Sequence, residues 1–453
     1  VDRMPRSFYV TTKNIFDENS WSDPTYVDQQ GFDPDLFFDQ RSGKTYLTST
    51  SGAGQFVQDP GYFSIFKTEI DIKSGDSLTE SEVFHVSSLP LDTPRLAEGS
   101  HMFDLRSTHG YIYLLTAEAG TDVQHRAMIK RAKTMEGPWE NNPNNPILFN
   151  GRNMSNPILA TGHADFVQTP EGKWYTVFLG IRPQNPTNSS GKPQLGRETF
   201  LAPMEWGKDG WPVVNGGKDI TLDMPGLYDL ARPKKWIDEF SGKFVDKAYY
   251  TARTWYKKFW DFNARPGWLR IRGNVYTLDD RETPAAWFRK QVDLSTVVST
   301  ELEFSPKNTF QEAGLTVYLS IHYHNEIYLA WNPWRNCISI VSTIRSGPDA
   351  TASYKFIKDL PADYSGSVKL AIKAEPNQYT LGYALRQKGR NGKYGEQFED
   401  IQWTGGSVES KWLQAFKSGW QSFTGAFFGI YATGKTMPLL IPAVSVLQWS
   451  MFG

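Results

Sequence analysis

Two carboxyl-bearing residues stand at matched places in a repeat, and that spacing bears on the chemistry they could do. The segments Gly31-Phe-Asp-Pro-Asp-Leu-Phe-Phe-Asp39, Leu96-Ala-Glu-Gly-Ser-His-Met-Phe-Asp104 and Leu159-Ala-Thr-Gly-His-Ala-Asp-Phe-Val167 superpose with offsets of 65 and 63. Their third place holds Asp33, Glu98 and Thr161, and their fifth holds Asp35, Ser100 and His163. Equivalent places in a circular repeat surround one axis, so Asp33 and Glu98 are expected to face each other at one end of a shared channel. Two converging carboxyls can cleave a glycosidic bond, one protonating the leaving oxygen while the other handles water or tunes its neighbour. Taken singly, each has a plainer reading: Asp33, before Pro34, as a turn cap, and Glu98-Gly99 as a loop. Their matched places favour the catalytic pair.

The elements that must position these residues are strands. Short alternating runs such as Lys44-Thr-Tyr-Leu-Thr-Ser-Thr50 and Lys173-Trp-Tyr-Thr-Val-Phe-Leu-Gly180 lie between Gly, Pro, Asn and Asp, and helical periodicity is nearly absent. Each repeat segment is followed by a hairpin whose turn carries Ser42-Gly43, His109-Gly110 or Glu171-Gly172, with a weaker fourth turn at Asp209-Gly210. A strand-hairpin unit at long period is how a propeller blade is written in sequence. The pattern pauses near Met224-Pro225-Gly226 and Arg232-Pro233. Beyond it, runs such as Leu315-Thr-Val-Tyr-Leu-Ser-Ile-His322, Cys337-Ile-Ser-Ile-Val-Ser342 and Val368-Lys-Leu-Ala-Ile-Lys373 predict a two-sheet sandwich. The expected architecture is all-β, with a propeller over 1–232 and a sandwich over 236–453.

Composition narrows the partners. The 48 basic and 49 acidic residues of the 453 nearly cancel and form no long blocks, which argues against nucleic acid and anionic membranes. Aromatics make up 14% of the chain, with 16 Trp, and flat aromatic faces suit the C–H face of a sugar, although all-β cores are also aromatic-rich. Cys337 is the only cysteine, so neither an internal disulfide nor a cysteine metal cluster is available. No apolar run reaches the roughly 18 residues of a membrane span, and no signal peptide is visible at Val1 to Tyr9. Asn153-Met154-Ser155 and Asn188-Ser189-Ser190 match the glycosylation pattern, which matters only in a secreted chain. His322 and His324 alternate along a predicted strand and read as a solvated face rather than a metal site.

Four segments in order, Gly31 to Asp39, Arg95-Leu-Ala-Glu-Gly-Ser-His101, Thr161-Gly-His-Ala-Asp165 and Leu195-Gly-Arg-Glu-Thr-Phe200, resemble glycoside hydrolase family 43, and its two-domain β-xylosidases most closely. The resemblance covers nearly the whole chain. It implies a five-bladed propeller followed by a β-sandwich, and inverting hydrolysis of terminal pentoses in xylo-oligosaccharides or arabinoxylan, as exo-β-1,4-xylosidase or α-L-arabinofuranosidase. It implies Glu98 as general acid and Asp33 as the carboxylate that raises and orients it. His163 then lies beneath the sugar, near a water-ligated calcium in some relatives, and no cofactor is required for turnover. Arg197 would hydrogen-bond the terminal sugar, its competing role being an ion pair with Glu198 or another acid. Phe423, in Phe423-Thr-Gly-Ala-Phe-Phe428, would project into the pocket, its competing role being core. Secretion is implied as well, and oligomeric state has no signal in the sequence.

Two departures stand out. Ser100 occupies a place where the family usually has proline. The family's general base, an Asp of the first blade, has no counterpart before Asp33, and residues 1–28 match only the outer strands of a second blade. The expectation from sequence is therefore a partial propeller that lacks its first blade and part of its second, with poor turnover as given. The rival expectation is a pentose-binding protein without turnover.

Overall fold

β-Branched and aromatic residues at every second place, with glycine at the reversals, fold the first half of the chain into antiparallel meanders. The computed structural model describes residues 6–52, 63–90, 92–184, 193–226, 235–241, 246–404, 406–413, 416–417, 420–421, 423–435 and 444–452. After a short pair, β1 (Phe8–Tyr9) and β2 (Thr25–Tyr26), come three four-stranded sheets. The first is β3 (Phe32–Phe38), β4 (Thr45–Gly52), β5 (Phe63–Ile70) and β6 (Glu82–Val86). The second is β7 (Ala97–Leu105), β8 (Tyr111–Glu118), β9 (Arg126–Ala132) and β10 (Glu140–Asn141). The third is β11 (Leu159–Gln168), β12 (Trp174–Ile181), β13 (Arg197–Trp206) and β14 (Pro212–Val214). Each is an up-and-down meander, the form of a propeller blade. The turn at Asp209-Gly210 joins β13 to β14 inside the third blade and opens no fourth one.

Cores lie between neighbouring blades. Phe37 and Tyr46 of the first meet Met102, Ile112 and Leu114 of the second. Tyr113, Leu115 and Ile129 of the second meet Phe166, Phe178 and Trp211 of the third. The aspartates that end the first two repeat segments are structural: Arg106 donates Nε to Asp104 Oδ1 at 2.8 Å and pairs through Nη2 with both Asp39 and Asp104. This side chain ties the first blade to the second. Tyr113 and Arg131 do the same for the next pair, bonding the carbonyls of Gly210 at 2.6 Å and Asp209 at 2.8 Å. At the ninth place the third segment has Val167, where no such staple can form.

The second compact unit holds 183–185, 192–197 and 230–453, the first holding the rest. Its eight-stranded sheet has Val444–Phe452 and Thr296–Glu303 side by side near the centre. Its seven-stranded sheet centres on Phe427–Thr433, Glu312–Ser320 and Tyr323–Asn332. Side chains such as Val298, Leu302, Leu370 and Ile372 from one sheet and Leu315, Ile327, Ile340 and Ile430 from the other form the core of the sandwich. Among the described residues the only helical elements are three short 3-10 turns, and no helix is long and apolar enough to cross a membrane.

The outer face of the seven-stranded sheet carries a buried polar cluster. His324 is not on a solvated face, and His322 lies beyond the strand in the turn before Tyr323. His324 Nε2 is 3.0 Å from Asp279 Oδ1, and its Nδ1 is 2.9 Å from Glu326 Oε1, ion-pair close but off the hydrogen-bond line. Burial alone would lower the His324 pKa, but the two carboxylates more than offset it and carry it up to about 9. Nearby, burial pushes Glu312 up to about 7 despite its pairing with Lys435. Both folded-state values lie above the unfolded ones, so the stability each group contributes is present at low pH and lost as pH rises through the folded pKa. The windows run from 4.5 to about 7 for Glu312 and from 6.5 to about 9 for His324. Calorimetry should show the sandwich melting several degrees lower at pH 9 than at pH 6. A flat profile would contradict this assignment.

Candidate active site

The repeat segments form the first strand of each blade, and each strand carries a bulge at the same point. Phe32 faces Thr50 and Asp35 faces Thr48, Glu98 faces Ala117 and His101 faces Leu115, and Gly162 faces Leu179 and Asp165 faces Val177. In each case one strand spends one extra residue, which re-aims its side chains. The residue that turns left-handed is Asp33 (φ 50°), Gly99 (φ 53°) and His163 (φ 48°) respectively. The structural equivalence is therefore Asp33, Gly99, His163, followed two places later by Asp35, His101, Asp165. The sequence superposition, which matched Asp33 with Glu98 and Thr161, is out of register by one residue at Glu98 and by two at Thr161. Glu98 precedes the bulge and Asp33 sits in it. Two non-glycine residues held left-handed at one structural level mark that level as a candidate functional one, since such backbone persists only where its surroundings enforce it.

The three bulges meet. A Cβ on Gly99 would lie 2.7 Å from His163 Nε2, so the absence of a side chain there is what lets the His163 ring rest against the backbone beside Glu98. His163 and His101 have ring centroids 6.1 Å apart. His101 Nδ1 lies 3.5 Å from Asp35 Oδ1, and Asp35 Oδ2 accepts the Met102 amide at 3.2 Å. Burial depresses the His101 pKa, but Asp35, with Asp165 and Asp33 further off, outweighs it and holds the imidazole above its ordinary value. Below, the buried His125 fits under Gly162 and holds the Ala160 carbonyl through Nδ1 at 3.0 Å. Ser100 uses the hydroxyl that replaces proline to bond Thr48 Oγ1 at 2.9 Å, both groups being buried between the first and second blades.

Asp33, Glu98 and His163 are thus gathered on adjoining first strands and remain partly exposed. His101, Asp35 and Asp165 complete the group. The sequence reading left His101 and Asp165 without a role, and the bulge-corrected repeat, which aligns them with Asp35, is the signal that finds them.

Arg197 and Phe423 form a second group, within the other compact unit. Glu198 does not pair with Arg197: Arg182 holds it through two parallel bonds of 2.8 and 2.9 Å. The Arg197 guanidinium instead lies 3.9 Å from the centroid of Phe423, and its amide donates to the Phe423 carbonyl at 3.0 Å. Phe423 is 45% exposed, so the core role considered for it does not hold. The pair presents a planar fork of donors backed by an apolar ring, a combination suited to sugar hydroxyls and C–H faces.

Calcium takes roughly six to eight oxygen ligands. Among the described residues no group of three or more His, Cys, Asp or Glu side chains is arranged to hold a metal ion, and the ring of His163 is flanked by another imidazole.

Comparison with known proteins follows the same division of the chain. The model of glycosyl hydrolases family 43 matches residues 2–212, and that of the β-xylosidase C-terminal concanavalin A-like domain matches 237–439. The chain is 31% identical over 446 residues to the non-reducing end α-L-arabinofuranosidase BoGH43B of Bacteroides ovatus, spanning 96% of this chain and 74% of that protein. It is 32% identical over 326 residues to a putative β-xylosidase of Escherichia coli, covering 69% of this chain and 58% of that protein. The solved structure of Bacteroides ovatus xyloglucan PUL GH43B superposes with a TM-score of 0.78 at 28% identity, over 98% of this chain and 80% of that one. A xylan β-1,4-xylosidase from Bacillus halodurans shares the fold, with a TM-score of 0.83 at 23% identity, over 99% and 81% of the two chains.

Proposed function

The chain belongs to glycoside hydrolase family 43, and from that premise we propose that it releases terminal pentoses from xylo-oligosaccharides or arabinoxylan, as an exo-β-1,4-xylosidase, by inversion. The observation that carries this reading is the convergence of Asp33, Glu98 and His163 at the bulges of adjoining first strands. Glu98, beside the backbone that supports His163, is the proton donor to the departing oxygen. Asp33 is the carboxylate that disfavours ionisation of that donor. Arg197 and Phe423 hold the terminal ring, one through its hydroxyls and the other through its C–H face. Inversion further requires a base roughly 6.5–9.5 Å from the acid, to take a proton from the water that attacks the anomeric carbon from the opposite side. The sequence assigns that base to no residue of these 453. A polymeric substrate agrees with the extracellular location that the sequence led us to expect.

α-L-Arabinofuranosidase is the second reading, favoured by the B. ovatus relative's activity. Assay on aryl β-D-xylopyranoside and aryl α-L-arabinofuranoside, with the first-formed anomer read by NMR, separates the two and tests inversion. Binding of either pentose without turnover would support the binding-protein alternative instead.

The role of Asp33 has its own test. Asp33→Asn removes the like charge beside the acid, so the limb of the pH–rate profile that reports loss of the donor's proton should move to lower pH. An unmoved limb would assign Asp33 to backbone geometry alone.

A further inference from the structure

A ring-lined cavity lies in the sandwich unit; none of the residues assigned above to cleavage or sugar binding lines it, although Thr424, next to Phe423, does. Its volume is about 350 Å³, and Tyr250, Phe288, Tyr318 and Phe427 supply its aromatic walls. Arg253 is the one charged residue of the lining, its Nη1 donating to the Glu282 carbonyl at 2.9 Å. Tyr250 and Phe427 meet edge to face, with centroids 5.6 Å apart at 74°, and Phe288 and Tyr318 are tilted against each other, 5.0 Å apart at 37°. Tyr250 remains 51% exposed, and the same loop continues into Trp255 at 44% and Tyr256 at 62%. Trp255 braces edge-on against Trp260, and Tyr256 against Tyr276, so these large rings are fixed in place while open to solvent.

Exposed, braced aromatic rings around a concavity are costly to keep in water and mark a ligand surface. The lining limits the ligand's chemistry. Ring faces favour an apolar, flat partner; Arg253, the hydroxyls of Thr251 and Ser320 and the backbone of 319–321 favour one rich in oxygen acceptors and donors. The lining has no acidic side chain, and the charge of Arg253 disfavours a cationic ligand. A sugar ring, with C–H faces and an equatorial belt of hydroxyls, meets both demands. The cavity is at the small end of the roughly 300–1,000 Å³ typical of ligand sites, so it takes about one or two rings of a chain at a time.

We propose that this cavity is a second saccharide-binding site, which grips a pentosan chain without taking part in its cleavage. The choice of pentosan rests on the function proposed above; the site itself rests on the cavity and its rings. The test is retention on insoluble arabinoxylan, measured in a Glu98→Gln background so that the polymer is not cut. Tyr250→Ala should weaken retention about tenfold, the size of one lost ring contact. Tyr250→Phe, which keeps the ring face, should retain the polymer as well as the parent. With Glu98 restored, Tyr250→Ala should leave kcat/KM on small aryl pentosides unchanged. Equal retention of Tyr250→Ala and its parent at equal Tm, or failure of the parent to be retained, would overturn the site. The hydrolase reading fails on a different readout, absence of aryl-pentoside turnover by the unsubstituted chain, whatever the retention shows.

Discussion

Glu98→Gln should reduce turnover of natural xylosides by about 10²–10⁴-fold, the usual worth of one acid–base group. The amide keeps the size and hydrogen-bonding reach of the carboxyl and removes only the transferable proton. Substrates that leave as stable anions, such as dinitrophenyl glycosides, need no such proton and should lose far less. KM should change little on either substrate, since Arg197 and Phe423, which are proposed to hold the sugar, are untouched. The structure gives the experiment its sharpness. Glu98 stands opposite Ala117 in regular pairing, immediately before the bulge at Gly99, so the substitution leaves the backbone's left-handed residue alone. Equal losses on good and poor leaving groups would show that Glu98 orients the site without donating, and the acid would then be sought among Asp35 and Asp165 at the next ladder pairing.

The strands, hairpin turns and two all-β units were legible because they depend on period-two alternation and on glycine at reversals, both local properties. Of the two runs, Thr45 to Thr50 and Trp174 to Gly180 fall in β4 and β12, and Leu315, Cys337 and Val368 begin or lie in sandwich strands. The repeat was legible too, but its register was not. Matching by residue type paired Asp33 with Glu98, both acidic, whereas the backbone pairs Asp33 with Gly99 and His163, three residues of unlike chemistry that share a left-handed conformation. A bulge is set by cross-strand pairing, which a linear comparison does not contain. The partner of Arg197 was hidden for a similar reason: Glu198 is adjacent in sequence but is held by Arg182, and the ring that Arg197 meets lies more than two hundred residues on. The burial of His324 likewise depends on Asp279, from a segment outside its sheet.

Gly196→Ala should be among the most destabilising single changes available in the sandwich unit, and it should also weaken sugar binding. Gly196 has φ +69°, where an L residue costs roughly 1–2 kcal/mol. Its added Cβ would sit 2.1 Å from the Gly425 nitrogen and 2.4 Å from the Thr424 carbonyl carbon, and a Cβ on Gly425 would meet Leu195 backbone at 2.1 Å. Backbone cannot rotate away as a side chain can, so the two segments must separate, adding about 1–3 kcal/mol of overpacking strain. Their separation strains the bonds they share, Arg197 N to Phe423 O at 3.0 Å and Ala426 N to Gln194 O at 3.0 Å. A total of about 3–4 kcal/mol in a unit of this size lowers Tm by on the order of 10 °C. Because the displaced carbonyl belongs to Phe423, the guanidinium would lose its seat on the ring, and KM for aryl pentosides should rise with kcat much less affected. Gly425→Ala should reproduce both effects from the other side of the contact, and Gly43→Ala, whose added Cβ meets nothing within 4 Å, controls for left-handed backbone strain alone. If Gly196→Ala cost no more than Gly43→Ala, the close approach of these segments would not be what holds Arg197 against Phe423.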